Sequence, residues 1–261
     1  MGIVEALRAD SGIVCAVGAG GKKTTLYALA ERTAGESSPV VTATVRIPIF
    51  DPHVERVAVT GDPVSTVERV AAGDAGATGD GDSASDRFPL GVVPERESGN
   101  RYRGYDPTVV DELAATPAAD PVLVKADGAR TRQLKAPSDR EPQLPRRADT
   151  VVPIASARVV GEPLTADRVH RPERVAEITG RGIGEPIRAA DVARVLASDR
   201  GGLKSVPDGA AVVALVNMID DEGLRAVGDE IAAEVLDRTD RVSRVVLARM
   251  TASEPLIAVV E

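Results

Sequence analysis

The sequence predicts an α/β fold, a mostly parallel sheet with helices on both faces. Two observations carry that expectation. Short apolar runs of strand length, at 13–17, 39–43 and 210–216, alternate with segments whose apolar residues recur at helical spacing. That alternation marks strands joined by crossover helices, whose sheet is buried on both sides. At 261 residues the chain is long enough for a substantial core, and no repeat or clear linker divides it, so one domain over 1–261 is expected.

Taken in order, residues 3–9 read as a short helix leading into the first strand, 13–17. Gly18, Gly20 and Gly21 follow, then Lys22, Lys23, Thr24 and Thr25, and Leu26, Leu29 and Ala30 place a helix over 24–33. The second strand, 39–43, runs into Thr42-Ala43-Thr44 before Pro48 and Pro52 break the chain. A strand at 54–60 and a short helix at 64–72 come next. Residues 73–87 hold nothing apolar larger than alanine and predict a mobile surface loop. The acid spacing there lacks the terminal glutamate and flanking helices of a calcium loop. Asp106-Pro107 opens a helix with a capping carboxylate and proline at the first helical position. Strand 121–126 ends at Asp127-Gly128. The basic stretch 128–147 is interrupted by Pro137, Pro142 and Pro145, which disfavours a regular helix. Strand 151–155, helices at 173–179 and 191–197, a turn at Gly201-Gly202 and strand 210–216 follow. An amphipathic helix with Leu224, Val227, Ile231 and Val235 precedes the closing strands, 242–248 and 256–260.

The order strand, glycine loop, basic residue, hydroxyl, helix is that of a phosphate-binding loop, so the fold is expected to be P-loop NTPase-like. Glycines let backbone N–H groups close on phosphate oxygens, and the helix start adds unpaired donors. Two registers are open. Lys22 as the phosphate lysine keeps Gly21 before it but puts Lys23 at the hydroxyl position; Lys23 keeps Thr24 after it but loses the preceding glycine. An ordinary glycine turn with solvated lysines is the plain alternative. Asp127 at a strand tip fits a magnesium ligand together with Thr24 or Thr25, or a turn aspartate before glycine. Thr42 and Thr44 stand where open α/β sheets hold ligands, or reflect β-propensity alone. Asn217 and Asp220 are spaced as in guanine-binding sites, with Met218 where a lysine is usual; Asp220 or Asp221 could equally cap the next helix. Arg130 and Lys135 of the basic stretch, with His170 and Arg171, would line a second anionic pocket; a solvated charge run and a structural or exposed histidine are the plain alternatives.

Composition narrows the classes. The chain carries 40 acidic and 32 basic residues, net −8, with five lysines and 2% aromatics. Salt adaptation or a high-GC genome accounts for that balance, and the acidic surface argues against nonspecific binding to nucleic acid or anionic membrane. A single cysteine, Cys15 in the first strand, reads as core. With no signal segment and no membrane-length apolar run, a soluble cytoplasmic protein is expected.

Several stretches together resemble the YqeC-type proteins, described as accessory proteins of selenium-dependent molybdenum hydroxylases. The resemblance rests on Val17 to Lys22, Thr42-Ala43-Thr44, Lys125-Ala126-Asp127-Gly128-Ala129-Arg130, Lys135-Ala136-Pro137, Glu141-Pro142, His170-Arg171-Pro172 and Val216-Asn217-Met218-Ile219-Asp220. Lys23 stands where that family has threonine, and Lys125 where it has glutamate. The resemblance implies a P-loop NTPase-like fold and a role in maturing a selenium- or molybdenum-containing cofactor or enzyme. The resulting expectation is a protein binding Mg²⁺ with GTP, less readily ATP. Gly18, Gly20, Gly21, Lys22, Lys23, Thr24 and Thr25 would form the cradle, Thr24 and Asp127 the metal site. Lys22, Asp127 and Arg130 would act on the phosphates, with slow hydrolysis. A non-hydrolysing delivery module for a phosphorylated cofactor, with a molybdenum hydroxylase as partner, is the alternative; a small-molecule kinase is a third.

Overall fold

The computed structural model describes residues 1–73 and 87–261, so the expected loop at 73–87 falls outside the described residues except for its two ends. Its centre is a nine-stranded sheet. In chain order the strands and helices are α1 (Ile3–Ala6), β1 (Ile13–Gly18), α2 (Lys22–Thr33), β2 (Val40–Ala43), β3 (Ile47–Pro48), β4 (Arg56–Val59), α3 (Pro63–Ala72), β5 (Leu90–Val93), β6 (Arg96–Glu97), β7 (Arg101–Tyr102) and α4 (Pro107–Leu113). There follow β8 (Val122–Lys125), β9 (Leu134–Lys135), β10 (Thr150–Ser156), β11 (Val169–His170), α5 (Pro172–Thr179), α6 (Ala189–Leu196), β12 (Ala211–Asn217), α7 (Glu222–Arg238), β13 (Arg244–Ala248) and β14 (Leu256–Val260). The sheet order is β14-β13-β12-β10-β1-β8-β2-β5-β4, parallel throughout except for antiparallel β14.

Alternating side chains of one strand go to opposite faces, and the core clusters follow that rule. From β1, Val14 and Ala16 pack with Leu26 and Leu29 of α2, while Ile13, Cys15 and Val17 pack with Val67 and Val70 of α3 and with Val110 and Leu113 of α4. From β12, Val213 and Leu215 join the α2 face, and Val212, Ala214 and Val216 pack on α6 and α7. Helices therefore cover both faces, as the sequence predicts. Burial on both sides also explains why β1, β8 and β10 are apolar through their middles, with no alternation of polar residues.

Local chemistry sets the helix ends. Asp62, Asp106 and Asp221 accept from Ser65 N at 3.1 Å, Thr108 N at 3.0 Å and Leu224 N at 2.8 Å, and Pro63 and Pro107 open their helices. Asp221, not Asp220, caps α7. Two features differ from the sequence reading. Leu90–Val93 is a fifth sheet strand, hidden in the sequence by its brevity and by Gly91. Leu134–Lys135, within the proline-broken segment, pairs in parallel with Val169–His170 as a small second sheet. No helix among the described residues is long and apolar enough to cross a membrane.

The chain leaves β1 for β2, β4 and β5 on one side and returns through β8 to β10 on the other. β1 is thus the switch point, and the crevice at its carboxyl end lies between the tips of β8 and β10. Gly18, Asp127, Ser156 and Asn217 all stand at that end.

Candidate functional site

The turn from β1 to α2 is held from three sides. Gly18 N–H donates to Asp127 Oδ2 at 2.8 Å, Ala19 N–H to Ile154 O at 2.9 Å and Gly20 N–H to Arg132 O at 3.0 Å. Asn217, buried at the end of β12, donates from Nδ2 to Gly20 O at 2.8 Å and accepts from Met250 N–H at 3.1 Å. Glycine is required here by space. A Cβ on Gly18, at φ +88°, would lie 2.4 Å from Ile154 O, and one on Gly21, at φ +127°, 2.3 Å from Asn217 Nδ2. The amides of Gly18 and Gly20 are therefore already paired with protein acceptors. Among the described residues, the amides of Lys22, Lys23 and Thr24, in the first turn of α2, donate to no protein acceptor. Those three N–H groups, the Gly21 amide before them and the positive end of a 12-residue helix are the available anion donors.

Behind this turn lies a buried charge cluster. Lys22 is buried, and its Nζ donates to Gly18 O and sits 2.9 Å from Asp127 Oδ1. Lys135 Nζ lies 2.9 Å from Asp127 Oδ2, 3.1 Å from Glu141 Oε2 and 2.5 Å from Gly128 O. Arg171 reaches the same Glu141 oxygen at 2.7 Å. Lys204 Nζ bonds Glu141 O at 2.9 Å, and Lys125 Nζ bonds Arg46 O at 2.8 Å. Basic heads thus outnumber the two carboxylates, a surplus of positive charge in a low-dielectric setting.

The titration of these groups follows from that arrangement. Burial pushes Asp127 up, but Lys22 and Lys135 outweigh it and hold the carboxyl below its ordinary range. Glu141 is pulled the same two ways and settles at about 2. Burial lowers Lys22, and burial followed by Lys22 lowers Lys125 to about 7. His170, half-buried, falls to about 4 through burial, then Arg171 and Lys135, so its imidazole is neutral at pH 7.

Backbone strain gathers at the same end of the sheet. Arg130, Thr131, Arg171 and Met218 all adopt left-handed φ, between +47° and +64°. Non-glycine residues hold such conformations where the surroundings over-determine them.

The predicted residues separate into those the fold brings together and those it does not. Lys22, Asp127, Lys135 and Arg171 form one connected cluster through Glu141, so residues expected at two separate places meet in one network. Lys22 points inward, whereas Lys23 and Thr24 line a groove along the outside of α2; this distinguishes the two lysines. Thr25 Oγ1 bonds Gly21 O at 3.1 Å within its own helix. Thr42 Oγ1 is spent on Val92 O at 2.8 Å and Thr44 Oγ1 on Gln143 O at 2.6 Å, so both hydroxyls tie strands to neighbours. Arg130 is exposed beside His170. Asp220 faces Arg158, with an oxygen 2.6 Å from the guanidinium, instead of standing open as a base reader would.

The expected metal pair does not assemble. Both Asp127 oxygens lie 2.9 Å from ammonium groups, and Thr24 lines the outer groove while Asp127 lines a small cavity under the turn. A divalent cation on Asp127 would meet two like charges, so these residues do not fit magnesium as arranged. Among the described residues no group of three or more His, Cys, Asp or Glu could hold a metal.

Glu141, Lys125 and Lys204 are the members the sequence reading did not place in the site. Glu141 lies in a stretch rich in arginine and proline, two positions after a second carboxylate, Asp139, and only the fold shows which cations each faces.

Residues 14–173 match the family model described as YqeC protein. The chain belongs to the YqeC family. The matched residues run from β1 to the start of α5 and contain the glycine turn, Asp127, Lys135, Glu141, His170 and Arg171; Asn217 and Asp220 lie beyond them. The chain is also similar to the uncharacterized protein YqeC of Escherichia coli strain K12, at 26% identity over 207 residues, 78% of this chain and 75% of the relative. No solved structure matches.

Proposed function

We propose that this YqeC-family chain binds the phosphate end of a nucleotide or phosphorylated cofactor at the first turn of α2, without needing to hydrolyse it. The observation that carries the reading is the set of undonated amides at Lys22, Lys23 and Thr24, backed by a cluster with more cations than carboxylates. Lys22 is the member able to respond. Its ammonium is held by Gly18 O and Asp127, and an arriving phosphate offers a stronger counter-charge to which it can turn. Lys135 then remains to neutralise Asp127. The earlier resemblance implies a role in maturing a selenium- or molybdenum-containing cofactor or enzyme; on the present reading that role is delivery of the bound ligand, with a hydroxylase as the protein partner.

A second reading, Mg²⁺-dependent GTP hydrolysis in a P-loop NTPase-like domain, is favoured by one feature. Asn217 braces the glycine turn from the end of β12, the supporting role that an asparagine has in guanine-binding sites. The engagement of Asp127 by two lysines and of Asp220 by Arg158 favours the first reading.

Calorimetric titration in high KCl with GTP, ATP, CTP and pyrophosphate, each with and without Mg²⁺, tests the proposal. Phosphate compounds should bind without Mg²⁺, and Lys22→Met should weaken them at least tenfold, the scale of one charge-assisted contact at about 1.5–3 kcal/mol. Unchanged affinity in Lys22→Met would overturn it. Binding that requires Mg²⁺, with phosphate release, would establish the second reading.

A further inference from the structure

We propose that the groove along the outer face of α2 is a purine site, completing a nucleotide site whose phosphates sit at the α2 N-terminus. This rests on the phosphate reading above and names the rest of the ligand. The groove encloses about 640 Å³, within the size range of small-molecule sites. Its floor is one stripe of α2, Lys23, Thr24, Tyr27 and Glu31, and its walls are the turn carrying His53 and Glu55 and the segment after β13 that begins at Met250.

Three independent features give this groove a polarity that matches a purine nucleotide. First, the end nearest the glycine turn is lined by Lys23 and Thr24, whose amides no protein acceptor uses. Second, it holds a stacking shelf. The Tyr27 and His53 rings lie parallel, 4.3 Å apart at 11°, with Phe50 stacked 6.1 Å from Tyr27 and Tyr102 edge-on to Phe50 at 5.6 Å. Three of the chain's five aromatic residues are thus collected under one cleft, in a protein with no tryptophan. His53 is exposed, so the face turned away from Tyr27 can take a further ring. Third, the groove carries carboxylates. Glu31 and Glu55 are exposed acceptors for exocyclic amino groups, and Arg32, beside Glu31 in the same lining, is engaged by Ala252 O and Ser253 O. Lys23 and Glu31 are eight residues apart on α2, about 12 Å at the helical rise, which is the reach of a nucleoside phosphate.

The groove is also joined to the glycine turn. Met250 in its wall donates to Asn217, whose amide holds Gly20 O. Recognition of the base thereby falls to the α2 stripe and the His53 turn, and Asp220, paired with Arg158, takes no part.

The test compares pyrophosphate with ATP and GTP by calorimetry on wild type, His53→Ala and Lys22→Met. His53 lies on an exposed turn, and its removal creates no cavity in the core. The purine nucleotides should bind wild type more tightly than pyrophosphate and more tightly than CTP. His53→Ala should cost ATP and GTP about tenfold, the scale of one base–aromatic stack, and leave pyrophosphate unchanged. Should pyrophosphate bind and lose affinity in Lys22→Met while nucleotides bind no better, or should His53→Ala leave them within twofold, the purine site is overturned and the phosphate site stands. His53-dependent nucleotide binding with no pyrophosphate binding supports the groove and overturns the phosphate site. Absence of all binding overturns both.

Discussion

Replacing Glu141 by glutamine tests whether the buried charges act as a unit. Its carboxylate accepts from Gly128 N–H at 3.1 Å and lies 3.1 Å from Lys135 Nζ and 2.7 Å from Arg171. Burial alone would raise its pKa; Lys135, the Gly128 amide and Arg171 outweigh that and hold it at about 2, against an ordinary value of 4.5. Because the folded value is depressed, the ionised carboxylate stabilises the fold fully above pH 4.5. That stabilisation is lost as pH falls through about 2. The gap corresponds to about 3 kcal/mol at 1.36 kcal/mol per pH unit. Arg171 is one-quarter exposed, so solvent screens part of it, and a loss of about 2–3 kcal/mol is expected at pH 7. Urea unfolding followed by circular dichroism, at constant KCl, measures it; the midpoint should fall with the slope unchanged. At pH 4 the difference between wild type and variant should narrow by roughly 1 kcal/mol. A loss below about 1 kcal/mol at pH 7, or a difference indifferent to pH, would refute the view that Glu141 locks the cluster.

Two further outcomes follow from the same geometry. Asn217→Ala should destabilise by about 2–3 kcal/mol in the same assay, since Gly20 O and Met250 N–H both lose a buried partner; a change within 0.5 kcal/mol, the scale of a neutral surface substitution, would contradict it. Lys125 has a folded pKa of about 7 against 10.5, so between those values the unfolded chain binds the extra proton and stability gains with pH. Below pH 7 both forms carry it. Lys125→Met should remove that gain, so wild type should rise relative to the variant by roughly 2 kcal/mol between about pH 7.5 and 9.5. Parallel pH profiles would show that the amine is not held neutral.

The fold class and the glycine turn of the candidate site were legible because both rest on local signals. Apolar runs at 13–17, 121–126 and 210–216 report strands buried on two faces, and Asp106-Pro107 reports a helix start through its own side chain. Gly18, Gly20 and Gly21 likewise mark a turn that a Cβ would obstruct. The roles within the site depend on residues far apart in the chain. Asp127 and Gly18 are 109 positions apart, and Asn217 and Gly20 are 197 apart. Nothing in the local pattern distinguishes Lys22 from Lys23, yet the helical rotation between adjacent residues turns one into the charge cluster and the other onto the groove. Nor does it show that Asp220 meets Arg158, or that Tyr27 and His53 stack. The sequence by itself determined an α/β sheet with a glycine turn and a basic helix start at its switch point. Only the tertiary structure decided which charges neutralise one another and which amides stay open, because hydrogen-bond and ion-pair partners are chosen by sheet order and burial, not by spacing along the chain.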